Sequence, residues 1–124
     1  MNRAEKAVEY KHSGYNCAQA VLAAFSDELP LDDGALKQLG ASFGVGMGKL
    51  DATCGALCAA QMVLGMKKYA GSPILSEAGA MYLDFASLCG SAHCGELKGV
   101  YTGRVLCPCD DCVRNAVTVL EKRI

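Results

Sequence analysis

Eight cysteines within 124 residues constrain this chain more than any other feature of its sequence, because a small cysteine-dense chain has two broad solutions. In one, disulfide staples replace an inadequate core in an oxidising compartment. In the other, free thiols in a reducing compartment bind metal, shuttle electrons or react. The amount of apolar sequence discriminates between them. Hydrophobic residues make up 52% of the chain and charged residues 20%, enough for one real core in a domain of this size. The stretch Met1 to Tyr10 alternates charge with short apolar residues and lacks the apolar run of a secretory signal. A cytoplasmic protein with reduced, working thiols is the expectation, and staples are the weaker reading.

Charge and hydropathy exclude two classes of partner. Twelve basic and thirteen acidic residues are spread along the chain for a formal charge of −1, so no basic stripe is available to neutralise nucleic-acid phosphates. The most apolar segment, Cys54 to Met66, is too short to span a bilayer, contains Gln61 and runs into Lys67 and Lys68, which fits a buried helix and no membrane span.

Helical spacing recurs through most of the chain. Ala4, Ala7, Val8 and Lys11 predict a first helix stopped by Ser13 and Gly14, and Cys17, Ala18, Val21, Leu22 and Phe25 a second with Cys17 on its core side. Asp32 or Asp33 can cap a third carrying Leu36, Leu39 and Phe43, before glycines at 44, 46 and 48 break the pattern. Residues 54–68 suit a central helix approached closely at Gly55, Ala56, Ala59 and Ala60. Ser72 and Pro73 predict the start of a fifth, with Ile74, Ala78, Met81, Tyr82, Phe85 and Leu88 behind it. The last opens near Asp110 and Asp111 and continues through Val113, Ala116, Val117 and Leu120. The expected fold is all-α: residues 1–124 as a single cysteine-rich domain, a bundle of five or six helices.

The cysteines fall into groups of different weight. Cys54 and Cys58 are one helical turn apart and could serve one partner, although free cysteine also packs as a small buried hydrophobe. Cys54, after a glycine loop and in a first turn, meets the positive end of a helix dipole. Cys107-Pro108-Cys109-Asp110-Asp111-Cys112 combines C-x-C with C-x-x-C at a helix opening, a spacing suited to a reversible disulfide or a soft metal. Cys109 and Cys112 make the most easily oxidised local pair, since Pro108 tends to aim Cys107 and Cys109 apart. A zinc ribbon would need a second C-x-x-C. His93, beside Cys94, is either a ligand or base, or a solvated turn residue. The run Gly44-Val45-Gly46-Met47-Gly48-Lys49 follows a helix instead of a strand and lacks a Lys-Ser/Thr ending, so it is no phosphate loop.

Several motifs occur together in order: Gly14-Tyr15-Asn16-Cys17-Ala18-Gln19-Ala20, Gly46-Met47-Gly48, Cys54-Gly55-Ala56 and Cys94-Gly95-Glu96-Leu97. In this set the chain resembles the C_GCAxxG_C_C family of redox-active proteins over nearly its whole length. The resemblance carries the family cysteines onto Cys17, Cys54, Cys94 and Cys109, with Cys112 the rival for the last. Ala59 stands where the family's glycine usually closes the central hexad, and Cys58, Cys89, Cys107 and Cys112 are additions.

What the resemblance implies is a helical redox protein, and relatives fused to cytochrome-like modules point to electron transfer or an iron–sulfur centre. The expectation is that Cys17, Cys54, Cys94 and Cys109 converge from four segments on one site, with Cys112 the local redox partner of Cys109, and that the site either cycles between thiols and disulfides or holds an iron–sulfur cluster as thiolates. Any enzymatic activity is then that of a thiol-based oxidoreductase, working with a redox partner protein or a small thiol or electron carrier. The competing reading is a structural zinc-thiolate binding module without redox activity.

Overall fold

The structure, a computed structural model, describes residues 2–124. Helix α1 (Arg3–His12) begins at Asn2, whose side chain accepts from the Glu5 amide, and α2 (Cys17–Ala24) begins at Asn16. The second start is a reciprocal capping box: the Asn16 side chain accepts from the Gln19 amide while the Gln19 side chain accepts from the Asn16 amide. A single 3-10 turn (Ser26–Glu28) leads to α3 (Asp33–Gly40), capped by Asp32. The remaining helices are α4 (Gly55–Lys68), α5 (Leu75–Cys89), α6 (Cys94–Leu97) and α7 (Cys109–Glu121).

Helix α2 is made almost wholly of small apolar residues, and six of its eight are buried, so it can be surrounded. It packs against α1, α3, α4 and α7, while α7 also crosses α1, α4 and α5. The fully buried large side chains Phe25, Phe85, Leu22, Leu57, Leu64, Met81, Leu97 and Leu120 fill the space between these helices. Each contributes roughly 1.5–3 kcal/mol relative to exposure. At the rim, Arg114 of α7 reaches Glu5 of α1 at 2.7 Å.

The all-helical expectation holds, and among the described residues the only β-pairing is an isolated bridge. The helix count does not hold, because seven α-helices and a 3-10 turn among the described residues replace the five or six expected. The surplus comes from short pieces, one of them the four-residue α6, which carry too little sequence for a period to show. Ser72 and Pro73 do not start α5 either. It opens two residues later at Leu75, after Ile74, without a side-chain cap, and its buried stripe runs Met81, Phe85, Cys89, leaving Tyr82 and Leu88 exposed. Leu39 on α3 is also exposed. No helix among the described residues is long and apolar enough to cross a membrane.

Candidate functional site

Cys17, Cys54, Cys94, Cys109 and Cys112 line one cavity of about 350 Å³, together with Lys11, Tyr15, Asn16 and Lys98. Each of the first four opens a different helix. Cys17 is the first residue of α2, Cys54 the N-cap of α4, Cys94 the first residue of α6 and Cys109 the first of α7. Helices leave their first amides without intrahelical partners and present the positive end of their dipole there. The starts of α2, α4 and α7 therefore turn three donor-rich ends toward the sulfurs.

Local structure fixes this convergence. Segments 52–54 and 92–94 pair through the Thr53–His93 bridge: the Cys54 amide donates to Ala92 O and the Cys94 amide to Ala52 O, both at 2.8 Å. Two cysteines 40 positions apart are thus held side by side by backbone alone. Gly55 supplies the seat for Cys17, since a Cβ there would stand 2.8 Å from Cys17 Sγ and 2.3 Å from Phe43 O. Gly46 does the same for Cys94, where a Cβ would meet Cys94 Cβ at 2.6 Å.

The glycine run before α4 folds as a tight, partly left-handed turn over the cavity. Val45, Met47 and Leu50 have φ of 56°, 59° and 58°, a conformation that costs a side-chain-bearing residue about 1–2 kcal/mol. The strain lies where the chain wraps the sulfurs.

Burial and cationic charge oppose each other at these thiols. Burial pushes the Cys17 thiol up, against amide donation from Val45 and Ala18. Hydrogen bonding with Cys112, then burial, pushes Cys54 strongly up. Burial raises Cys94 to about 11, and the Lys98 ammonium pulls it back. Lys98 lies 3.3 Å from Cys112 Sγ and donates to Cys107 O at 3.2 Å. Burial pulls its own pKa down, but charge on Cys112 and Cys109 and the bonds to their sulfurs leave it raised.

All eight cysteines are free thiols, and the remaining three lie outside the cavity. Cys58 does not share a site with Cys54. Cys54 is the non-helical N-cap before the helix, and the half-buried Cys58 sulfur turns back to Thr53 O at 3.8 Å. Cys89 and Cys107 are buried, and their sulfurs lie with that of Cys112 within 4.8 Å of one another, a donor set that can bind a metal. Cys112 therefore belongs to two groups of sulfurs. His93 is not among the residues that line the cavity; its Nε2 lies 3.4 Å from Asp51 Oδ1 and its ring lies against Tyr101. Two participants have no counterpart in the sequence reading: Lys98 and Asn115, whose amide nitrogen is 3.2 Å from Cys89 Sγ. Lys98 was findable, since it stands four residues after Cys94 and such positions share a helix face.

No curated protein and no solved structure matches the chain. Residues 15–123 match the model of a family described as "Putative redox-active protein (C_GCAxxG_C_C)", and on that match, which takes in every cysteine of the cavity, the chain belongs to this family.

Proposed function

We propose that this is a redox-active protein in which Cys17, Cys54, Cys94 and Cys109 act together as thiolate ligands of an iron–sulfur centre. The observation that carries the reading is the cavity of about 350 Å³ around which these sulfurs stand, each brought by a different helix start. The residues fit such a group. The donors are soft sulfurs, of the type and number that iron–sulfur clusters take. The sulfurs drawn within 4.8 Å of one another, as a single ion would need, are those of Cys89, Cys107 and Cys112 instead. When bound, such a centre supplies one-electron transfer. The chain contributes the means of holding thiolates in a buried place: amides from Val45, Ala18, Ala56 and Leu57, and the ammonium of Lys98. The corresponding partner is a redox protein or a small electron carrier.

A second reading, thiol–disulfide exchange, draws support from Cys54, Cys109 and Cys112 standing around the same cavity as free thiols. An absorption spectrum with iron and acid-labile sulfide analysis on protein purified without oxygen separates the two. Iron and sulfide that disappear in Cys17→Ser support the cluster. Protein free of iron after anaerobic reconstitution, with Cys112 joined to Cys109 or Cys54 by a disulfide on mild oxidation, replaces it with exchange.

A further inference from the structure

Beside the cavity, Cys89, Cys107 and Cys112 bring three sulfurs to one point from the end of α5, the loop before α7 and the first turn of α7. Burial accounts for one small apolar cysteine at a time. It does not account for three from separate segments with their sulfurs within 4.8 Å of one another. A fourth donor stands next to them. The Asn115 amide nitrogen lies 3.2 Å from Cys89 Sγ and 4.0 Å from Cys107 Sγ, and a half-turn of the amide puts its oxygen in that place. A tetrahedral zinc site with zinc–sulfur bonds of about 2.3 Å has edges of about 3.5–3.8 Å, so the four atoms need only small adjustments to close on one ion. Cys54 lies outside the group of mutually close sulfurs.

We propose that Cys89, Cys107 and Cys112 bind one zinc ion as thiolates, with the Asn115 side-chain oxygen as fourth ligand and Lys98 as the neutralising cation. On binding, three S–H bonds give way to three Zn–S bonds, three protons pass to solvent, and no atom changes oxidation state. Two positive charges on zinc and one on Lys98, whose ammonium is 3.3 Å from Cys112 Sγ, balance the three thiolates. A cuprous ion would leave one negative charge uncompensated in a dry site, which is costly. The ion would join α5 to α7 and add an anchor to the irregular stretch between α6 and α7, where the Leu106 and Cys107 amides already donate to Leu97 O. The site stands apart from the proposed iron–sulfur centre, although Cys112 faces both.

The test is zinc binding to the full chain, read by competition with a chromophoric chelator and by X-ray absorption at the zinc edge, alongside iron analysis. The wild type should bind one zinc with three sulfur ligands and one oxygen. Cys89→Ser and Cys107→Ser should each weaken zinc at least about 100-fold and Asn115→Ala about 10-fold, with iron content unchanged in Cys89→Ser. Cys17→Ser should lose iron and keep zinc. Circular dichroism checks that the variants fold, and the sulfur-to-oxygen ratio in the wild type stands without any variant. Zinc affinity untouched in both Cys89→Ser and Cys107→Ser, or zinc lost in Cys17→Ser, overturns the assignment. So does cuprous ion displacing zinc into three-sulfur coordination.

Discussion

At Gly55 there is room for a hydrogen and nothing more, because Phe43 O and Cys17 Sγ occupy the directions a methyl group would take. Overpacking against a backbone oxygen and a fixed sulfur costs about 1–3 kcal/mol. Gly55→Ala should lower the unfolding free energy by that amount in urea and should also displace Cys17; a variant as stable as the parent would show that the seat yields. Cys54-Gly55-Ala56 was visible in the sequence, but the neighbour that makes its glycine necessary was not, since Cys17 lies 38 positions earlier. Ala59, in place of the family's glycine, is fully buried, so the added methyl has its space here. Lys98 carries a second prediction at this scale. Its charge favours the Cys94 thiolate against burial, so Lys98→Met should push the Cys94 thiol above its present value of about 11. In iron-free protein the alkylation rate of Cys94 at a fixed alkaline pH should then fall. An unchanged pH profile would show that the ammonium does not act on this thiol.

Among the elements, α2 shows most directly how local sequence positions a functional sulfur. Asn16 closes the capping box that starts the helix one residue before Cys17, and its side-chain Nδ2 also donates to Gly40 O and Ala41 O at 3.1 and 3.3 Å. Asn16→Ala removes both functions and should cost about 1–2 kcal/mol. Asn16→Asp keeps the cap acceptor but loses the donor, so it should recover part of that loss; equal losses would place the whole effect outside the cap. Such starts were legible where a capping residue and a period coincide, as at Asp32 for α3 and at the acidic turn of α7. They were misread where turn chemistry stood alone: Ser72 and Pro73 have the right residue types, but α5 starts without either. Helix α6 was not legible at all. It is a single turn whose first amide is anchored by Ala52 O across the bridge, a partner that no local pattern names.

Across the whole molecule, order along the chain and meeting in space are different kinds of information. Motif order suggested which cysteines belong together, whereas the cavity depends on the 52–54 and 92–94 pairing and on the strained turn at 45–50. Neither leaves a periodic trace. One consequence concerns how stability varies with pH in the reduced, metal-free protein. Burial or thiol–thiol hydrogen bonding raises Cys17, Cys54, Cys58, Cys94, Cys107 and Cys112 above the ordinary thiol value of 9.0. Cys94 and Cys107 each reach about 11. Above pH 9 the unfolded chain therefore loses protons that the folded chain keeps, and stability must fall as pH rises. The contribution is present in full below pH 9 and is lost as pH rises through about 11 for these two residues. Urea midpoints measured from pH 8 to 11 under reducing conditions should decline steadily. Tyr101, raised by its hydrogen bond to Asp51, acts in the same direction, so the series is best run in a Tyr101→Phe background. There, replacing Cys94 and Cys107 together by serine should make the decline shallower without abolishing it, because the serine hydroxyls do not titrate in this range while Cys17, Cys54, Cys58 and Cys112 still do. A parent protein whose midpoint stays level between pH 9 and 11 would mean that the thiols are not held neutral by the fold.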